Sequence, residues 1–211
     1  MKLILARHGQ TEWNTRFRVQ GRTDIPLNDM GRAQARALAE RLDCMKIDAV
    51  YASPLERACE SARCITERQK CPLIVDERLI ERDFGAWEGA IMPELSKTQP
   101  ALWDIWVKTP ESCPIPGAET VQEVYARSMD FAAEALARHP DGNIVMISHA
   151  NPVKLILCHY LQASPNCMHR IRTDNCSYSE IRRKEDDYVV SALNETYFLL
   201  QKGLLPERSH L

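Results

Sequence analysis

The sequence has no long apolar run. Its longest uninterrupted stretches, such as Leu3 to Ala6 and Ile144 to Ile147, are four residues, far short of the roughly 18 that a membrane-spanning helix needs. Charged Arg7 follows the first of them directly, so the N-terminus does not read as a secretory signal. Charge of one sign is not in excess either. With 27 basic against 29 acidic residues the net charge is −2, which gives no global electrostatic reason to bind nucleic acid or an anionic membrane. The eight cysteines make up about 4% of the chain, below the level of small disulfide scaffolds. None stands in a Cys-x-x-Cys pair and no carboxylate cluster shows metal-ligand spacing, so no metal and no cofactor is expected. Scattered thiols of this kind fit a reducing cytoplasm. Internal repeats and low-complexity segments are also missing.

A chain of 211 residues makes one large domain or one domain with an insertion, and is long enough to bury a core without disulfide or metal staples. Four short aliphatic segments, Lys2 to Ala6, Ile47 to Ala52, Leu73 to Val75 and Asn143 to Ser148, read as buried strands. Helical patterns separate them. Asp29 to Leu42 follows a cap at Asn28 and places Ala35, Leu38, Ala39 and Leu42 on one face. Ser53, Pro54, Leu55 and Glu56 read as a capping box opening a helix to about Arg68, and Thr120 with Glu123 as a second box opening a helix that ends before Pro140. A fourth helix is expected from Asn151 to about Leu161.

Tyr178 to Ile181 and Tyr188 to Leu193, joined by Arg182 to Asp187, predict an antiparallel hairpin at the sheet edge. Residues 84–117, rich in proline and tryptophan, break the alternation and read as a lid-like excursion. The expected fold is therefore α/β: a mostly parallel central sheet flanked by helices on both faces, with a helical or loop lid and an antiparallel edge hairpin. One domain should span residues 1–200, with 201–211 a flexible tail. Ligands of such sheets bind beyond the carboxyl ends of the parallel strands. That places His8, after the first strand, and His149, after the strand ending at Ser148, in one crevice.

Leu5 to Asn14 reads Leu-Ala-Arg-His-Gly-Gln-Thr-Glu-Trp-Asn. With it the chain resembles the histidine phosphatase superfamily, which includes the cofactor-dependent phosphoglycerate mutases. The opening Arg-His-Gly-x-Thr-x-x-Asn is matched in full. Ser53 to Ala58 fits Ser-x-Leu-x-Arg-Ala, Leu79 to Gly89 fits Leu-x-Glu-x-x-Phe-Gly-x-Trp-Glu-Gly, and Ser148-His149 closes a strand as the second family histidine does. The resemblance covers roughly residues 1 to 195.

The resemblance implies an enzyme acting on a small phosphorylated metabolite, and elementary chemistry agrees. Phosphoryl transfer needs donors around three equatorial oxygens and a nucleophile in line with the leaving group. Arg7, Arg57, His149 and Asn14 supply donors, the two arginines with forked geometry. His8 is the expected nucleophile, forming a phosphohistidine, and Glu81 matches the family's proton donor to a poor alkoxide leaving group. By resemblance the backbone at Gln20 and Gly21 and the amide of Ala150 touch the substrate. Taken singly, His149 would be a hydrogen-bonded structural histidine and Arg57 a solvated helix charge. Glu88, in its Trp-Glu-Gly setting, is expected to cap a turn. The tryptophans are expected to pack, although Trp103 and Trp106 lie where a specificity lid would be.

The chain departs from the family pattern in having Ala150 for glycine and Ser61 for threonine. Between Glu81 and His149 the only basic side chains before Arg127 are Arg82, Lys97 and Lys108, few for a mutase that must grip a carboxylate beyond the phosphate pocket. The reading favours a metal-independent phosphatase. Its rivals are a phosphoglycerate mutase and a non-catalytic module that only holds a phosphorylated ligand. Oligomeric state is not legible.

Overall fold

The computed structural model describes residues 1–185 and 187–205. Its strands are β1 (Lys2–Arg7), β2 (Ala49–Ala52), β3 (Leu73–Val75), β4 (Asn143–Ser148), β5 (Tyr178–Lys184) and β6 (Asp187–Glu195). They form one sheet in the order β3-β2-β4-β1-β5-β6. The first four are mutually parallel, while β5 runs antiparallel to both β1 and β6. The helices are α1 (Glu12–Thr15), α2 (Asp29–Leu42), α3 (Glu56–Gln69), α4 (Met92–Thr98), α5 (Pro100–Lys108), α6 (Val121–Arg138), α7 (Ala150–Tyr160) and α8 (Tyr197–Gln201).

The parallel strands are apolar at every position between their ends because both faces of the sheet are covered. Leu3, Leu5, Ala49, Tyr51, Ile144 and Met146 point into one core, against Val124, Phe131 and Leu136 of α6 and Leu155 and Ile156 of α7. Ile4, Ala6, Val50, Ala52, Val145 and Ile147 point into the other, against Ala35, Leu38 and Leu42 of α2, Ala58 and Ile65 of α3, and Phe198 and Leu199 of α8. Two expected caps form: Asn28 accepts from Gly31 N at 2.8 Å, and Thr120 with Glu123 closes a full capping box. The expected box at Ser53 does not. α3 starts two residues later with Leu55 as its cap and no side-chain capping bond, because Ser53 still runs with the sheet, its N–H bonded to Ile147 O at 3.0 Å.

Two other segments, the hairpin and the C-terminal stretch, differ from expectation, and the lid takes the helical of its two expected forms. The hairpin strands are longer, since Arg182, Arg183 and Lys184 pair with Val189, Tyr188 and Asp187 and their charged side chains stand in solvent. The excursion over 84–117 is largely helical. Pro93 and Pro100 occupy the first turns of α4 and α5, where a missing N–H costs nothing, so prolines that suggest loops here start helices. The final segment is docked as far as it is described: Leu204 and Leu205 pack on the second core, and Gln34 Nε2 donates to Leu204 O at 2.9 Å. The rest of the expected tail, 206–211, lies outside the described residues. Among the described residues no helix is long and apolar enough to cross a membrane, and all eight cysteines are free thiols.

Candidate active site

Adjacent parallel strands bring the two histidines together. β1 and β4 are in register with Arg7 opposite Ser148, and His8 N bonds Ser148 O at 3.0 Å, so the next residue on each strand is a histidine at the same sheet edge. Their ring centroids lie 5.0 Å apart, tilted by 57°. His8 Nδ1 sits 2.6 Å from Gly9 O. A carbonyl only accepts, so Nδ1 carries the hydrogen and Nε2 keeps its lone pair. Burial, followed by the charges of Arg57 and Arg7, pushes the His8 pKa well below its usual value. The ring is therefore neutral at neutral pH.

His149 is fully buried and stands behind the cavity wall against His8. β2, on the other side of β4, explains what holds it. Ala52 pairs with Ile147, which sets Ser53 beside His149, and Ser53 Oγ lies 2.7 Å from His149 Nε2. The same oxygen accepts Leu55 N–H at 3.3 Å. With its hydroxyl hydrogen given to Nε2, His149 presents Nδ1–H, an atom that has no partner among the described residues. Burial and Arg57 also depress the His149 pKa. Ser53→Ala should loosen this donor. Removing a donor outright costs 10²–10³ in rate, so loosening it should lower kcat about tenfold. Leaving Leu55 N–H unpaired should cost about 1–2 kcal/mol of stability. Thermal melts and steady-state kinetics check this; a lowered Tm with unchanged kcat would remove Ser53 from the catalytic apparatus.

The guanidinium groups come from two elements. Arg7 ends β1 and donates to Thr173 O at 2.9 Å, while its Nε is unpartnered among the described residues. Arg57, in the first turn of α3, is buried rather than solvated. It donates to Thr23 O at 2.9 Å and Gly21 O at 2.8 Å, and its Nε is also left over. Burial lowers its pKa to about 10, still cationic at neutral pH. The loop carrying Gln20 and Gly21 is shaped by Glu88. That carboxylate accepts from Arg22 N at 2.8 Å, Thr23 N at 3.1 Å and Thr23 Oγ1 at 2.7 Å, the turn-capping role its setting predicts. Gly21 has φ +55°, and a Cβ there would collide with the Glu88 carboxylate, so both conformation and space require glycine.

Asn14 Oδ1 accepts from Thr11 N at 3.0 Å and Asn175 Nδ2 at 3.2 Å, which turns its Nδ2 donors to the cavity. Glu81 is buried, and its Oε1 accepts from Arg82 N at 2.8 Å and Asn151 Nδ2 at 3.0 Å. Oε2 accepts no hydrogen bond among the described residues and is left to face a ligand. Arg7, His8, Asn14, Gln20, Gly21, Arg57, Glu81 and Ala150 all line one cavity of about 300 Å³, and the N-terminus of α7 at Ala150 adds helix-end amides suited to an anion.

Sequence reasoning missed several residues. Asn151 holds Glu81. Asn175 holds both His8 O at 3.1 Å and Asn14. Ser61 Oγ ties the His8 loop to α3, accepting Gly9 N–H at 3.1 Å and donating to Arg57 O at 2.7 Å. The outer wall combines Phe84, Met92, Trp103, Trp106 and Val107 with Arg18, Lys154 and His169, so Trp103 and Trp106 both pack and face the cavity. The basic groups between Glu81 and His149 do not supply the extra cations of the outer wall. Arg82 is stacked on Trp106 and Phe84 at 4.9 and 5.3 Å, with Nε on Glu119 O at 2.7 Å. Lys108 pairs with Asp104 at 2.7 Å. The additional cations come instead from Arg18, before Arg57, and Lys154, after His149, and only three-dimensional closure reveals them.

Comparison with known proteins agrees with this geometry. The chain is 35% identical over 199 residues to phosphoserine phosphatase 1 of Hydrogenobacter thermophilus, covering 94% of each. It is 31% identical over 191 residues to a probable phosphoglycerate mutase of an Enterobacter species, covering 90% of this chain and 89% of the relative. Among solved structures, the Entamoeba histolytica phosphoserine phosphatase in complex with 3-phosphoglyceric acid superposes with a TM-score of 0.84 at 28% identity, covering 94% of this chain and 98% of that one. The family model of the histidine phosphatase superfamily, branch 1, matches residues 3–196. A match over nearly the whole chain, on the same fold and around paired strand-end histidines, makes this protein a member of that superfamily.

Proposed function

We propose that the chain is a phosphatase that hydrolyses a small phosphomonoester through a phosphohistidine on His8. One observation carries the reading: His8 donates Nδ1–H to Gly9 O at 2.6 Å, which keeps Nε2 unprotonated in a cavity it shares with Arg7 and Arg57. A neutral imidazole beside two guanidinium groups is a nucleophile facing a site for a dianion. In the first step the Nε2 lone pair forms the N–P bond as the bond from phosphorus to the bridging oxygen breaks. The Glu81 carboxyl gives that oxygen its proton. In the second step water attacks phosphorus, loses a proton to the Glu81 carboxylate, and the N–P bond breaks, restoring the free enzyme. Arg7, Arg57 and Asn14 carry the equatorial charge from the cavity wall and His149 adds its Nδ1–H from behind that wall, with the Ala150 amide and the backbone at Gln20 and Gly21 lining the substrate. Similarity to phosphatases over almost the full chain supports the same reading.

A second reading, the mutase, is favoured by one observation: Arg18 and Lys154 add cations beyond the phosphate pocket. A mutase must hold its acceptor and exclude water until the phosphoryl group returns. The two readings separate in one assay. Purified protein given 3-phosphoglycerate with the bisphosphate primer, and in parallel a panel of phosphomonoesters, should release phosphate faster than it interconverts 2- and 3-phosphoglycerate. Primer-dependent interconversion faster than phosphate release from every monoester would reverse the assignment. The absence of either activity would favour a module that only binds.

A further inference from the structure

α7 presents Ala150, Asn151 and Lys154 to the cavity; positions i and i+4 stack one turn apart and i+1 lies about 100° round the helix, so the three line a broad stripe of α7. Each meets a different part of a bound ester. Ala150, at the helix N-terminus, lies with the phosphate donors. Asn151 holds Glu81, whose proton must go to the bridging oxygen. Lys154, one turn further along, therefore faces what lies beyond that oxygen, the leaving group. Its surroundings there are Trp106, His169 and the other aromatic groups of the outer wall.

Lys154 is a cation without a counterion in reach. Burial weighs most on its ammonium, and the charges that act on it do so at a distance: Arg7 opposes it, Glu81 and Cys158 favour it, and no hydrogen-bonding group among the described residues satisfies it. His169 beside it is held neutral by burial, its pKa pushed down to about 4, and its Nε2 is also unpartnered. Arg18, on the same wall, also leaves its Nε unpartnered, but its guanidinium is stacked over Trp13 at 5.2 Å. A half-buried ammonium with no partner is costly unless a ligand completes it.

We propose that Lys154 is the specificity-determining residue of this site, binding a carboxylate on the alcohol portion of the substrate while Phe84, Trp103 and Trp106 pack its carbon skeleton. This inference rests on the phosphatase reading and narrows it to phosphomonoesters of hydroxy acids. A carboxylate suits the site because it accepts from the Lys154 ammonium and supplies the counterion that the cavity lacks there. The Lys154 pKa is lowered to about 8, chiefly by burial, so the contact is charged at neutral pH and lost from the free enzyme as pH rises through that value. The titratable and charged groups that act on it are Arg7 from β1, Glu81, Cys158 from α7 itself, and His169.

Substrate pairs that differ by one carboxylate test the proposal: O-phosphoserine against O-phosphoethanolamine, and 3-phosphoglycerate against glycerol 3-phosphate. The wild-type enzyme should prefer the carboxylated member at least tenfold in kcat/KM at pH 7. Lys154→Met should reduce that preference to within twofold, mainly through a raised KM for the carboxylated member. Lys154→Arg, which keeps the charge, should retain most of it. The wild-type preference should also shrink above pH 8, and the Lys154→Met ratio should not move with pH. A wild-type preference below twofold, or a full preference surviving in Lys154→Met, would overturn the assignment. Turnover of p-nitrophenyl phosphate through a His8-dependent phosphoenzyme, with no carboxylate preference, would sink this inference alone. No His8-dependent hydrolysis of any monoester would sink the phosphatase reading and this inference with it.

Discussion

His8→Ala should abolish turnover, by about 10⁴-fold or more, in a protein that remains folded. The two halves of that expectation rest on different observations. The ring's polar contact is a bond to the neighbouring backbone, Gly9 O, and its main neighbour is His149, so no hydrophobic layer depends on it. Truncation should cost about 1–3 kcal/mol, against a total of about 5–15 kcal/mol for a domain. Chemistry has no such margin. Without Nε2 no covalent phosphoenzyme can form, and water would have to attack a dianion with no positioned base designed for that geometry. Brief incubation of wild-type protein with ³²P-labelled monoester should give an acid-labile, base-stable adduct, and His8→Ala should give none while keeping its cooperative melt. A variant that retains more than about 1% of kcat, far above what loss of a covalent nucleophile leaves, would rule out the covalent route, as would an active wild-type enzyme with no adduct.

Much of this architecture is legible in the sequence because its signals are local. Buried parallel strands are apolar on both faces, and β1, β2 and β4 show it within a few residues. Asn28 and the Thr120–Glu123 box mark helix starts by chemistry that acts over three residues. The carboxyl-end rule then places His8 and His149 in one crevice without coordinates, and the register of Arg7 with Ser148 puts their rings in contact. What the sequence conceals is whatever depends on distant partners. Ser53 looks like a cap, yet its hydroxyl faces His149, 96 positions away. Pro93 and Pro100 leave the lid open between helix and loop, because proline fits a helix start as well as a turn. Lys154 is an ordinary lysine on a helix until α7 is docked beside Glu81, when burial changes both its acidity and its meaning.

Glu81→Gln should slow alkyl phosphates by about 10²–10⁴-fold and p-nitrophenyl phosphate by less than about tenfold, because a nitrophenolate leaves without much protonation. Glutamine keeps the geometry. Its amide oxygen can accept the bonds that Oε1 now takes from Arg82 N and Asn151 Nδ2, and its amide nitrogen replaces Oε2, the oxygen left facing the cavity. The substitution therefore removes an acidic proton and little else. The difference between the two substrates is the informative quantity: a general structural injury would lower both alike, whereas loss of a proton donor weighs on the leaving group that needs one. Equal losses would move the acid elsewhere. Glu88 would be a poor successor, since its carboxylate is taken by three donors from Arg22 and Thr23, and the remaining candidate would be Asp83, whose Oδ1 accepts Gly85 N–H at 2.8 Å at the edge of the aromatic wall. A double variant, Glu81→Gln with Asp83→Asn, would then decide: if Asp83 is the acid, it should fall well below Glu81→Gln alone on alkyl phosphates, and if Glu81 is the acid, the second change should add less than about twofold to a proton transfer already lost.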